Sequence, residues 1–252
     1  MKETTKILSR LARESGKDFR DIFSDMLEFL IDTFEMENLR AHRFDMTSTI
    51  KDAEQKNAGL FSCLKEWIVA VYEELSKGRC LDFFGAVYED EVKSAYKAAK
   101  MGQFFTPTSL CNVCADIVAD EDTRTVNDPA CGSGRLLLSA FQNMRKDRLT
   151  YFVGEDLDGI SVKMCALNMM MNGMFGHVVC RDTLTGEFHF ALAVNETMWP
   201  FPSGIPSIRR LDERQCNKLE AWYPCIMRSM EKRTAVDAHP AGSVQLNLFG
   251  QL

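Results

Sequence analysis

Between residues 18 and 34 the apolar side chains Phe19, Ile22, Phe23, Met26, Leu27, Leu30 and Phe34 return at intervals of three and four, which winds them onto one face of an amphipathic helix. Ser15 and Asp18, just ahead, are residues of the type that start helices. An apolar stripe needs a partner face, and Leu60, Phe61, Leu64, Trp67, Ile68, Val71, Tyr72 and Leu75 repeat the same period over 60–75. The stretch "LDFFGAVYEDEVKSAYKAAK" continues in helical style, so residues 1–100 are expected to form an all-helical domain.

The pattern changes at "MGQFFTPTSL". Short apolar runs then alternate with helical segments: "RTVNDP" before 134–145, "TYFVGED" before 159–172, then "HVVCRD" and "FHFALAV". Such alternation belongs to βαβ units. It predicts an α/β domain over 101–200 with a parallel sheet, helices on both faces and a ligand crevice beyond the strand carboxyl ends. The methionines of "MCALNMMMNGM" read as adaptable core filling. Beyond Pro200 the alternation stops: 207–223 predicts one amphipathic helix within a helical extension over 201–233, and 234–252, containing "TAVDAHPAGS", reads as a flexible tail.

Composition narrows the class. The chain is 46% hydrophobic and 26% charged, an ordinary globular mix. No apolar run approaches the roughly eighteen residues of a membrane span, and "MKETTKILSR" lacks the apolar stretch of a secretory signal, so no membrane association and a cytoplasmic location are expected. Nine cysteines without an export signal fit reduced, mostly buried thiols. Cys111 and Cys114 form a CxxC with no second pair at zinc spacing, which favours a small-residue helix face over a metal site. The net charge of −6 means that any contact with DNA must be local or shared. Lys2, Lys6, Arg10, Arg13, Lys17 and Arg20 outnumber Glu3, Glu14 and Asp18 in residues 1–20, but a solvated helix face accounts for them.

Candidate chemistry concentrates in "NDPACGSGRLLLSA", residues 127–140. Val126 leads out of a strand and Asp128 ends it. Gly132, Ser133 and Gly134 allow a tight turn with close backbone approach, and Leu136 to Leu138 open a helix whose N–H groups attract an anionic group. The spacing is neither a phosphate loop nor a dinucleotide fingerprint, and taken alone it is equally a tight connection. The next strand ends in Gly154, Glu155 and Asp156, a carboxylate positioned to accept from ribose hydroxyls, and the third ends in "RDTL" with Asp182 and Thr183. Asp158 reads as a helix cap.

"GQFFTP" followed by "DPACGSG", "VGEDLDG" and "RDTL" resembles the modification subunits of type I restriction systems and related adenine-N6 DNA methyltransferases; "LDFFGAVYED" is similar to the helix preceding "GQFFTP" in that family. The likeness covers roughly residues 60–185. It implies a Rossmann-like fold that binds S-adenosylmethionine, with DNA and a specificity or partner subunit as partners. Asp128 would accept from the methionine ammonium, the Ala130 to Gly134 backbone would pass beside the cofactor, Asp156 would hold the ribose, and Asp182 with Thr183 would meet the adenine. Phe105, Thr106 and Pro107 would close the methionine end.

Binding is separable from catalysis. In the family an Asn-Pro-Pro-aromatic motif after the fourth strand directs the flipped adenine amine at the methyl group. Asn195 falls near that place, but Glu196, Thr197 and Met198 stand where Pro, Pro and an aromatic belong. With one helix and a linker after it, a shortened sheet that methylates weakly or not at all unaided is expected, or an active subunit completed by a partner. A noncatalytic adaptor is the alternative: Gln245, Leu246, Leu248 and Phe249 resemble the pentapeptide by which DNA-processing proteins dock on the bacterial sliding clamp, and a flexible tail has little local reason to display Leu and Phe.

Overall fold

A computed structural model describes residues 1–92, 106–118, 123–144, 150–196 and 204–221. Phe105, residues 197–203 and the clamp-like peptide lie outside these.

The N-terminal segment is helical: α1 (Lys2–Ser15), α2 (Phe19–Phe34), α3 (Met36–Ala41), α4 (Met46–Lys56), α5 (Ala58–Leu75) and α6 (Phe83–Val92). The starts are written in the side chains. Asp18 accepts from the Asp21 N–H, Asp45 from those of Thr47 and Ser48, and Asn57 from that of Leu60, each satisfying donors that a helix leaves unpaired at its first turn. The stripes of α2 and α5 bury together as their period requires, except for Tyr72, which is exposed at the edge of the α5 stripe. Trp67 stands edge-on to Phe34 and lies 4.9 Å from the Phe84 ring, while Phe23 meets Tyr88 at 5.2 Å.

After α7 (Thr108–Val118), strands and helices alternate: β1 (Thr125–Asp128), α8 (Arg135–Asn143), β2 (Tyr151–Asp156), α9 (Gly159–Met171), β3 (Phe175–Arg181), β4 (Phe188–Val194) and β5 (Ile208–Leu211). The sheet has the order β1-β2-β3-β4-β5. β1, β2 and β3 run parallel, so the carboxyl ends at Asp128, Asp156 and Arg181 share one edge. β4 and β5 run antiparallel to their neighbours. This corrects the expectation of a uniformly parallel sheet. The turn from Asp182 to Glu187 is too short for the crossover that a parallel return requires, so β4 folds back as a hairpin. A second correction concerns 207–223: Ile208 and Leu211 are buried within a strand that pairs with β4, and helix starts only at 213. Asp212 and Gln215 cap it reciprocally through each other's backbone N–H.

α9 is apolar on nearly every side because it is covered on nearly every side, by α2 and α6 outside and by β2, β3 and β4 beneath. Its methionines fill this core, which runs without interruption from Leu8 to Ile208. The opposite face of the sheet carries a smaller cluster in which Val179, Ala191, Ala193 and Leu211 pack against Cys216 of helix 213–221. No described helix is long and apolar enough to cross a membrane.

Candidate functional site

The edge formed by β1, β2 and β3 gathers the acidic strand ends. Between β1 and α8 the chain makes its glycine turn, with Gly132 at φ 53° and Gly134 at φ 86°. Gly134 has a second reason to be glycine: a Cβ there would lie 2.8 Å from Cys165 Sγ on α9. The turn is pinned to the neighbouring strand, since the Cys131 N–H donates to the Glu155 carbonyl at 2.8 Å and the Gly132 N–H donates to Asp156 Oδ2 at 2.9 Å. Asp156 Oδ1 accepts from the Asp158 N–H at 2.9 Å. Asp156 thus clamps both connections, and each of its oxygens has capacity for a second hydrogen bond.

Asp128 is held differently. Its Oδ1 accepts from the Ala130 N–H at 3.1 Å, whereas Oδ2 is buried without a hydrogen-bond partner among the described residues. Burial raises this carboxyl above the ordinary aspartate value of 3.8, against the hydrogen bond from Ala130; the nearby Asp156 adds to the rise. A buried carboxylate oxygen left empty is costly, and a cation or donor supplied by a ligand relieves it. Asp182 sits at the same edge in the exposed β3–β4 turn. It accepts from the N–H groups of Leu184 and Thr185, bonds that hold its carboxyl below the ordinary range, and Thr183 beside it is exposed.

Sequence reasoning missed the residue that holds this turn from behind. Asp82, ahead of α6, accepts from Ser133 Oγ at 2.7 Å, Arg135 Nε at 2.8 Å, Asn168 Nδ2 at 2.8 Å and the Gly85 N–H at 2.9 Å. Its carboxyl is raised by burial in spite of Arg135 and these donors. Gly85 leaves the room: a Cβ there would fall 2.3 Å from Asp82 and 2.5 Å from Ser133 Oγ. Arg135 extends the network to Glu89 at 2.8 Å and to the Thr106 carbonyl at 3.1 Å. Thr106 is thereby brought to the base of α8, with the exposed Pro107 next to it. The signal in the sequence was the Asp before the helix and the Gly three residues on, in the "LDFFG" that the likeness already covered.

Asn195, the residue expected near the family's catalytic motif, lies away from this edge. β4 runs antiparallel, so its end lies beside Gly176 at the start of β3, on the order of 17 Å of strand away from the carboxyl ends. The residue is buried at φ 58°, where it donates to the carbonyls of Met170 and Met174 at 2.9 and 2.7 Å and accepts from the Ser207 N–H at 3.1 Å. It closes the α9–β3 turn against the β4–β5 connection. Glu196 beside it is taken by Arg209 in a bidentate pair at 2.6 and 2.8 Å. Arg210 pairs with Glu28, Asp32 and Glu35. Neither arginine is left as an open cation for a phosphate.

Residues 79–197 match the family model for N-6 DNA methylase. Among curated proteins, the chain is 31% identical over 149 residues to the type I restriction enzyme MpnII methylase subunit of Mycoplasma pneumoniae, a match covering 53% of this chain and 27% of that protein. It is 28% identical over 126 residues to the MjaIX methylase subunit of Methanocaldococcus jannaschii, covering 46% of this chain and 22% of that protein. The EcoEI methylase subunit of Escherichia coli matches at 25% over 103 residues, covering 36% of this chain and 21% of its own length. The chain therefore spans about a quarter of the length of these relatives. No solved structure matches it.

Proposed function

We propose, from the match of residues 79–197 to the N-6 DNA methylase family model, that the chain is an S-adenosylmethionine-binding member of the modification-subunit kind that does not methylate adenine unaided. The observation that carries the cofactor reading is the buried Oδ2 of Asp128, unpartnered among the described residues, beside a turn whose two glycines stand at positive φ. The cofactor supplies an electrophilic methyl group on a sulfonium. Asp128 holds the ammonium of its amino-acid end, the Ala130 to Gly134 backbone passes alongside, Asp156 accepts from the ribose hydroxyls, and Asp182 with Thr183 lies at the adenine end. Thr106 and Pro107 border the methionine end; Phe105, assigned there on the family resemblance, lies outside the described residues. The acidic edge suits a positively charged ligand.

Against unaided turnover stands Asn195, whose amide donates into the α9–β3 turn while its oxygen accepts from the Ser207 N–H in the interior, away from the acidic edge. DNA and a specificity or partner chain, which the relatives' description as subunits favours, are therefore proposed as partners that complete the reaction. Isothermal calorimetry with S-adenosylmethionine and S-adenosylhomocysteine tests the first half: binding is expected, and its loss in Asp128→Asn with the fold retained. Labelled-methyl transfer to DNA tests the second, and N6-methyladenine formed by the isolated chain would overturn it.

A second reading rests on the QLNLF pattern at 245–249. Leu248 and Phe249 would each contribute about 1.5–3 kcal/mol on burial in a partner's pocket, less the cost of ordering the tail, enough for a weak tether to a sliding clamp. Deleting 245–249 should abolish retention on immobilised clamp; retention unchanged would dispose of it.

A further inference from the structure

The face of the sheet turned away from α9 carries a polar cluster that the methylase reading does not use. His177 of β3 is completely buried there, and its ring is hydrogen-bonded through Nδ1 to the Tyr151 hydroxyl at 2.8 Å. The tautomer with its proton on Nδ1 leaves Nε2 as a bare lone pair, and among the described residues Nε2 has no hydrogen-bond partner. Opposite it, helix 213–221 presents Cys216 and Glu220, which its i, i+4 spacing brings to one face. Glu220 Oε1 lies 3.6 Å from His177 Nε2 and 3.9 Å from Cys216 Sγ. All three ligand atoms lie within 4.8 Å of one another.

We propose that His177 Nε2, Cys216 Sγ and Glu220 form a three-ligand site for a divalent cation of the zinc class. In a tetrahedral zinc site, with metal–ligand distances of about 2.0–2.3 Å, neighbouring ligand atoms stand roughly 3.3–3.6 Å apart. The Glu220–His177 edge meets that spacing, the Glu220–Cys216 edge is open by a few tenths of an ångström, and the third edge, within 4.8 Å, would have to close around the ion. Nitrogen, sulfur and oxygen donors together select a borderline-soft metal over calcium or magnesium. The Tyr151 hydroxyl is the outer partner that a ligating histidine needs to fix its ring.

Charge points the same way. Arg181 donates to Glu155 at 2.7 Å and to Glu220 at 2.9 Å, so two carboxylates share one guanidinium and leave one negative charge under the helix. A divalent cation with Cys216 as thiolate brings the sum to zero, the thiol proton leaving to solvent. Three protein ligands leave a fourth position for water. The site would tie helix 213–221 to β3 and so act as a brace for that face. Cys111 and Cys114 belong to no such group among the described residues.

The test uses the full chain stripped with chelator and titrated with zinc and cobalt. One equivalent is expected to bind, with a thiolate-to-cobalt charge-transfer band. Cys216→Ser should remove that band, Tyr151→Phe should weaken zinc binding about tenfold through the lost outer partner, and Cys114→Ser should change nothing. Should the variants fold poorly, alkylation of the wild-type chain mapped by mass spectrometry decides: zinc should protect Cys216. No binding at one equivalent, an unchanged band in Cys216→Ser, or equal alkylation of Cys216 with and without zinc would each overturn the site.

Discussion

Asp82 accepts a hydrogen bond from Ser133 at 2.7 Å, joining the start of a helix in the N-terminal segment to the middle of the glycine turn 51 residues later. Through this bond and the one from Arg135, the helix that follows Asp82 helps set where the turn stands. Removing one member of a buried charged pair leaves the other uncompensated. Asp82→Ala is accordingly expected to lose about 3–5 kcal/mol in urea unfolding, near the upper end for a single substitution. Asp82→Asn, which keeps the shape and part of the hydrogen bonding, should lose less.

Gly134 faces two independent demands, its φ of 86° and the 2.8 Å that would separate a Cβ from Cys165 Sγ. The left-handed conformation costs a non-glycine residue about 1–2 kcal/mol, and overpacking adds about 1–3 kcal/mol. Thermal unfolding of Gly134→Ala should show a loss of at least the first amount. Cys165→Ala in the same chain should recover part of it, because the sulfur is what the new methyl meets. Full additivity of the two substitutions would refute the contact.

The legible parts of the chain were those in which periodicity and turn chemistry agreed. The stripes of α2 and α5, the four strand segments up to 194 and the glycine turn all follow from spacing, because an apolar face must be buried wherever it falls. Strand direction does not follow from spacing. "FHFALAV" reads the same whether it lies parallel or antiparallel, and only the short Asp182–Glu187 connection decides it. Strand β5 was hidden for another reason. "IRRL" has an arginine on each face, and it is a strand because Arg209 finds Glu196 while Arg210 finds α2, partners distant in sequence. Asp82 was legible only in part: its place before a helix, with Gly85 three residues on, marks a helix start, but nothing local marks the serine, arginine and asparagine that surround it.

Asp128 gives a pH dependence whose sign is opposite to that of most aspartates. Its carboxyl is raised in the folded chain by burial, so between the ordinary value of 3.8 and the folded value the native state binds more protons than the unfolded one. Stability from this group therefore falls as pH rises through that window and stays reduced above it. Asp128→Asn should be at least as stable as the parent at neutral pH, with the difference vanishing in acid below 3.8. The same variant should bind S-adenosylmethionine far more weakly, so stability and ligand affinity should move in opposite directions. Urea unfolding from acid to neutral pH, beside calorimetry at neutral pH, checks both; a variant less stable at neutral pH would show that Oδ2 has a partner in the folded chain.

Asn195 separates an architectural role from a chemical one. Its side chain serves two carbonyls and one N–H, and its φ of 58° is a conformation that asparagine tolerates better than most residues. Truncation to alanine strands those three groups in the interior, and unpaired buried groups cost about 1–3 kcal/mol each before relaxation. Asn195→Ala is expected to lose about 2–4 kcal/mol in chemical unfolding. Affinity for S-adenosylmethionine, measured well below the unfolding midpoint, should be unchanged, because the crevice lies at the other end of the parallel strands. Asn195→Asp keeps the bond from Ser207 but turns an acceptor toward the carbonyls of Met170 and Met174, so it should be as destabilising as alanine or more so. A residue acting on an adenine would give the reverse pattern: stability nearly intact, and methyl transfer by the assembled enzyme lost.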